Sequence, residues 1–94
     1  MIVCEITTYK SVPQGEIRSR HLQFIRKYGD QGRVLMAGRF ADSKGAMILW
    51  NTDTLEEARR IAGEDPYVQQ NMISYELREW PLIFNYMVEP PLRP

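Results

Sequence analysis

His21 is the only histidine of this 94-residue chain, and it falls among apolar residues whose spacing predicts a helix. Residues three and four positions apart share one face of a helix. The resulting stripe consists of Ile17, His21, Phe24, Ile25 and Tyr28. A buried imidazole needs partners for both nitrogens, because an unsatisfied buried polar group costs about 1–3 kcal/mol. Taken alone, such a position is more typical of a satisfied core histidine than of a catalyst.

Two further positions stand out against their neighbours. Asp65 precedes Pro66, and this pair is typical of an N-cap followed by the first residue of a helical turn. Sequence chemistry alone therefore favours a capping role for Asp65. Gly38 interrupts an apolar strand, which predicts a bulge or the close approach of another group. Arg39 beside it could reach an anion, although a solvated arginine is the commoner outcome.

The composition argues against several classes of partner and cofactor. Twelve Lys and Arg balance twelve Asp and Glu, so the chain lacks the basic excess that gives affinity for nucleic acid. The glycines occur singly, without a phosphate-binding G-x-G-x-x-G or G-K-[ST] pattern. One histidine and one distant cysteine offer no metal-ligand spacing. We therefore predict no nucleic-acid partner, no metal and no nucleotide cofactor.

The first residues, MIVCEITTYK, predict neither a signal peptide nor a membrane span, because their apolar run is interrupted by Glu5. A single cysteine, Cys4, cannot form an internal disulfide and falls within a strand-like run. We interpret it as a small core residue. These features together predict a cytosolic protein without a membrane partner.

Alternation and capping signals predict the elements of the first half. Residues 2–8 are rich in β-branched side chains and read as a strand. Ser11 and Gln14 have capping-box spacing, which predicts a helix over residues 11–32. Residues 34–41 and 46–51 are apolar, and residues 42–45 between them have hairpin-loop chemistry.

The second half continues with a helix and a strand. Thr54 and Glu57 repeat the capping-box spacing, and the helix must end near Asp65, because the residue before a proline is pushed out of the α region. Residues 66–72 form a turn and residues 73–80 a half-buried strand. The prolines after residue 80 predict a separate tail over residues 81–94.

The predicted order β-α-β-β-α-β is the ferredoxin-like α+β arrangement, in which two helices cover one face of a four-stranded antiparallel sheet. The middle hairpin is apolar on both faces, so its second face also needs cover. A second copy packing sheet to sheet would supply it and form a homodimer, a dimeric α+β barrel. The alternative cover is the tail, through Leu82, Ile83, Phe84, Tyr86 and Met87.

Several short motifs together resemble the YciI-like (YCII) family of the dimeric α+β barrel superfamily. The resemblance covers about residues 1–80, and its most specific part is the combination of His21, Gly38 and Asp65-Pro66. The other matching pieces are Arg18, Leu22, Gly32, Ala37, Asp42, Gly45, Glu57-Ala58, Tyr67 and Arg78-x-Trp80. The tail departs from the usual family ending.

The resemblance implies a cleft in which His21 and Asp65 form a catalytic dyad. It also implies a cofactor-independent lyase, for which removal of chloride from a chlorinated hydroxyhydroquinone is the leading candidate. His21 would then be the base and Asp65 its orienting partner. The remaining candidates for contact with a small aromatic substrate are Arg18, Gly38, Arg39, Phe40 and Tyr67. Two alternatives stay open, a binding module without catalysis and a muconolactone-isomerase-like proton-transfer isomerase.

Overall fold

The computed structural model describes residues 1–85, which form a four-stranded sheet and three helices. The predicted order of strands and helices is confirmed, with one added helical turn before the last strand. The elements are β1 (Ile2–Tyr9), α1 (Glu16–Asp30), β2 (Val34–Arg39), β3 (Gly45–Asn51), α2 (Leu55–Ala62), α3 (Pro66–Gln69) and β4 (Ile73–Glu79).

All neighbouring strands of the sheet run antiparallel in the spatial order β2-β3-β1-β4. This order places β1 and β3, which have the most buried side chains, at the centre. Val3 of β1 lies opposite Trp50 of β3, and Glu5 lies opposite Ile48. The predicted ferredoxin-like α+β fold is therefore confirmed.

The core lies between the helices and one face of the sheet. The predicted stripe of α1 contributes Phe24 and Tyr28, whose rings contact Trp50 edge to face at centroid distances of 6.0 and 6.1 Å. Such aromatic contacts add about 0.5–1.5 kcal/mol to the burial itself. Helix α2 is capped as predicted, because the Thr54 side chain accepts a hydrogen bond from the backbone N–H of Glu57. It buries Ala58, Ile61 and Ala62.

The predicted start of the first helix was wrong. The helix begins at Glu16 rather than after Ser11, and its N-cap is Gly15, which makes no side-chain capping bond. Gly15 has a φ of 71°, in the left-handed region that glycine adopts without steric cost. Residues 11–14 precede the helix without regular secondary structure, and Pro13 among them is buried.

The second strand also differs from its prediction in two respects. It ends at Arg39, so Phe40 and Ala41 fall outside it. The bulge expected at Gly38 occurs instead at Leu35, where the pairing of β2 with β3 shifts between Val34 and Met36. A β-carbon added to Gly38 would meet no atom within 4 Å, so no group of the described chain makes the expected close approach.

The second face of the sheet is apolar, and no helix of residues 1–85 covers it. Ile6 and Met36 on this face are 38% and 46% exposed, while Cys4 is buried as predicted. Alternation places Met47 and Leu49 of β3 on the same face. Of the tail, Leu82, Ile83 and Phe84 are exposed, and Tyr86 and Met87 lie outside the described residues. Among residues 1–85, no helix has the length and apolarity needed to cross a membrane.

Candidate functional site

His21 and Asp65 are 44 residues apart in the chain and in direct contact in the fold. Nδ1 of His21, in the middle of α1, lies 2.9 Å from Oδ1 of Asp65, the N-cap residue of α3. The Asp65 side chain is 1% exposed and that of His21 is 14% exposed. The imidazole therefore has one nitrogen held in the interior and an edge within reach of solvent.

Asp65 fills the capping role as well as contacting the imidazole. The backbone N–H of Tyr67 donates a 2.9 Å hydrogen bond to the same Oδ1 atom. The two interpretations of Asp65 that the sequence left open are thus compatible in one residue. The cap fixes the carboxylate, and the fixed carboxylate then orients the ring of His21.

A second contact from α1 holds the residue before Asp65. The hydroxyl of Tyr28, on the same stripe as His21, donates a 2.7 Å hydrogen bond to Oε1 of Glu64. This hydrogen bond, followed by burial, raises the pKa of Tyr28. Side chains of helix α1 therefore contact the Glu64-Asp65 segment at two places, which limits how far the Asp65 carboxylate can move from the imidazole.

Tyr67 supplies the third constraint on His21. The two rings are stacked, with centroids 3.9 Å apart and planes 3° from parallel. Burial raises the pKa of Tyr67, so its phenol stays neutral at physiological pH. One face of the imidazole is thus covered by a neutral ring.

Tyr9 and Arg39 continue the cluster beyond Tyr67. The Tyr9 and Tyr67 rings meet edge to face at 6.3 Å. Nε of Arg39 donates a 3.3 Å hydrogen bond to the Tyr9 hydroxyl, and Nη2 donates one of 2.9 Å to the carbonyl of Pro13. The hydrogen bond with Tyr9 is the main cause that raises the pKa of Arg39.

These side chains border a cavity of about 210 Å³ between α1 and the ends of β1, β2 and β3. Of the predicted substrate-contact residues, the structure brings Arg18, Gly38, Arg39 and Tyr67 to this cavity together with His21. Phe40 does not line it and is 41% exposed, because β2 ends before it and the chain turns away. Tyr9, the last residue of β1, also lines the cavity.

The YCII-related domain family matches residues 1–81. The chain belongs to that family. A relative in Bacillus subtilis (strain 168), the uncharacterized protein YjpA, is 32% identical over 62 residues, which span 66% of this chain and 73% of YjpA.

A solved structure shares the fold of this YCII domain. It is 5-chloro-2-hydroxyhydroquinone dehydrochlorinase from Burkholderia phenoliruptrix AC1100, in complex with 2,5-dihydroxybenzoquinone. The TM-score is 0.65, and the match covers 86% of this chain and 94% of the dehydrochlorinase. At 12% identity, the likeness establishes a common fold.

The YCII domain also buries a carboxyl group that the sequence prediction did not place at the site. Glu5 is 0% exposed at the centre of β1. Its Oε1 accepts a 3.0 Å hydrogen bond from the indole N–H of Trp50, and its Oε2 lies 3.0 Å from the Thr7 hydroxyl. Burial, partly opposed by these two hydrogen bonds, raises the pKa of Glu5, and the negative charge of Asp65 adds to the rise. The signal in the sequence was the position of Glu5 between Val3 and Thr7 on one face of the predicted strand.

Within residues 1–85, no three His, Cys, Asp or Glu side chains gather where they could hold an ion. The polar groups at the cavity are an imidazole, two guanidinium groups and two phenols, from His21, Arg18, Arg39, Tyr9 and Tyr67. Their chemistry is proton transfer and the binding of negative charge.

Proposed function

We propose that this YCII domain is a small-molecule enzyme in which His21 is the general base and Asp65 orients it. The observation that carries the proposal is the 2.9 Å contact between His21 Nδ1 and Asp65 Oδ1 beside a cavity. A carboxylate on Nδ1 selects the tautomer that leaves Nε2 unprotonated, and it stabilises the imidazolium formed when Nε2 takes a proton. Within residues 1–85, Nε2 of His21 makes no hydrogen bond of its own.

We further propose that the reaction is removal of HCl from a chlorinated hydroxyhydroquinone to give a hydroxyquinone. The fold shared with the dehydrochlorinase and the cavity lined by Tyr9 and Tyr67 support this substrate class. The reaction requires a base, an environment that tolerates a phenolate, and no redox cofactor. The ring becomes a quinone because chloride departs with the electron pair of the C–Cl bond.

The steps are a tautomerisation and then an elimination, and together they remove one proton and one chloride from the ring. His21 first takes the proton of the ring hydroxyl next to the chlorinated carbon, and that carbon gains a proton as the oxygen becomes a carbonyl. Having passed the first proton to that carbon, His21 takes the proton of the hydroxyl para to the carbonyl, and the electrons move through the ring to expel chloride. The positive charges of Arg18 and Arg39 would stabilise the negative charge that develops on oxygen or on the departing halide.

We further propose that the working form is a homodimer in the cytosol, and the apolar second face of the sheet supports the dimer. Ile6 lies opposite Met47 in the register of β1 and β3, and Cys4 lies opposite Leu49. A second copy packed on this face would remove those side chains from water. Sedimentation at micromolar concentration should give twice the chain mass of 11.0 kDa, whereas a monomer would contradict the proposal.

The catalytic test is chloride release by the purified protein without added metal, nucleotide or reductant, corrected for spontaneous loss. His21→Ala should lower the corrected rate by roughly 10²- to 10⁴-fold, as expected for a general base. Gln23→Ala is the matched control, because Gln23 is exposed on the same helix. An unchanged rate in a folded His21→Ala protein would refute the dyad and favour a binding role for the cavity.

A further inference from the structure

Arg39 carries a half-buried positive charge that no carboxylate within residues 1–85 neutralises. Three arginines have acidic partners, in the pairs Arg33–Glu57, Arg60–Glu64 and Arg78–Glu76. Arg39 is held instead by two neutral oxygens, the Tyr9 hydroxyl and the Pro13 carbonyl. A guanidinium fixed in this way is pre-organised, so it loses little further freedom when it binds an anion.

Apart from the imidazole of His21, the polar side chains that line the cavity around Arg39 carry hydrogen-bond donors and positive charge. No Asp or Glu lines the cavity, since Asp65 lies behind the imidazole that it holds. The Tyr9 hydroxyl accepts from Arg39 and keeps its own proton to donate. Arg39 and Tyr9 can therefore offer two donors to one oxygen, and the positive charge of the guanidinium selects for an ionised one.

Apolar side chains define the rest of the space. Leu22 and Ile25 of α1 and Ile48 of β3 line the cavity, and the ring of Tyr67 forms part of its border. Walls of this kind, combined with a few convergent donors, suit a small ring compound that carries its charge at one end.

We propose that Arg39 and Tyr9 form an anion subsite that binds a carboxylate or phenolate oxygen of a small planar acid. The subsite gives the ligand its orientation and leaves its neutral part beside His21. This inference rests on the proposed function only in placing the anion subsite and the base His21 at one cavity. Arg18 lines the same cavity but is exposed, so its charge is screened by solvent and Arg39 is the specific anchor.

The test is calorimetric titration of the full chain with benzoate and with benzamide, which have similar shapes but differ in charge. Benzoate should bind at least about tenfold more tightly than benzamide. Arg39→Gln should weaken benzoate binding by about 10- to 100-fold, because a hydrogen bond to a charged group contributes about 1.5–3 kcal/mol. Arg59→Gln removes the same charge from an exposed position on α2 and should leave the affinity unchanged.

Tyr9→Phe keeps the ring and the bond from Arg39 to Pro13, and it should weaken benzoate binding without unfolding the protein. Equal affinities for benzoate and benzamide, no binding of benzoate at millimolar concentration, or equal affinities in the Arg39→Gln and Arg59→Gln proteins would each overturn the subsite. Because binding is measured without turnover, the subsite stands if benzoate binds selectively in a protein that releases no chloride. It fails if chloride is released normally and benzoate does not compete.

Discussion

The ring of Tyr67 stacks on the ring of His21 with a centroid distance of 3.9 Å, and the same short segment holds the imidazole edge through Asp65. One turn of helix thus provides the face contact and the edge contact. The rigidity of the base depends on this turn, which begins at Pro66 and has Asp65 as its cap.

Two substitutions of Tyr67 should distinguish the contribution of ring stacking from that of the phenol hydroxyl. Tyr67→Phe keeps a flat ring against His21 and should retain most of the activity. Tyr67→Leu removes the stack and should lower kcat by about tenfold, because a misplaced catalytic group loses orientation. Chloride-release kinetics on both variants check this, and equal rates in the two would show that stacking does not hold the base.

Two substitutions of Asp65 should distinguish the effect of its negative charge on activity from the effect of its capping hydrogen bond on stability. Asp65→Asn keeps an oxygen that accepts from Tyr67 and His21 but removes the negative charge, so activity should fall while the melting temperature changes little. Asp65→Ala also removes the cap, worth about 0.5–2 kcal/mol, and should lower the melting temperature by roughly 4–8 °C per kcal/mol. Paired rate and melting measurements distinguish the roles, and full activity in Asp65→Asn would contradict an electrostatic one.

The sequence predicted correctly the features that depend on residues close together in the chain. The cap at Thr54, the cap at Asp65 and the apolar stripe around His21 depend on residues within one or two turns, and the structure contains all three. The start of α1 was missed because the capping-box spacing of Ser11 outweighed Gly15, whose positive φ actually sets the boundary.

Contacts between residues far apart in the chain could not be predicted from the spacing of neighbouring residues. The contact of Tyr9 with Arg39 joins residues 30 positions apart, and that of Glu5 with Trp50 joins residues 45 apart. Alternation shows that Glu5 shares a face with Val3, but only the sheet order shows that this face is the core. The proximity of His21 to Asp65 was expected from the family resemblance rather than from spacing.

The buried carboxyl of Glu5 should make stability depend on pH. Its pKa is raised above the ordinary value of 4.5, so the folded chain keeps a proton that the unfolded chain loses. The stabilisation is complete below pH 4.5 and is lost as pH rises through the folded pKa. Glu5→Gln cannot ionise, and its amide can still accept from Trp50 and donate to Thr7.

The free energy of unfolding of Glu5→Gln, relative to the natural chain, should therefore increase with pH above 4.5 and then become constant. Urea denaturation of both proteins between about pH 4 and 8 measures this difference. A difference that stays constant over the whole range would show that Glu5 ionises at the same pH in the folded and unfolded chains.

Gly45 should be the glycine least able to accept a side chain, because a β-carbon there would collide with the backbone carbonyl oxygen of Thr7. Gly45 begins β3 and pairs with Thr8, so relief of the collision requires β1 and β3 to move apart at the centre of the sheet. Gly45→Ala should lower the free energy of unfolding by about 1–3 kcal/mol or more and the melting temperature by roughly 4–8 °C per kcal/mol.

Gly29→Ala is the matched control. Gly29 lies within α1, and a β-carbon added there would meet no atom within 4 Å, so the substitution should stabilise the protein by about 0.5–1 kcal/mol through helix propensity. Thermal melts of the two variants should shift in opposite directions, and a Gly45→Ala protein as stable as the natural chain would contradict the close approach of the two strands.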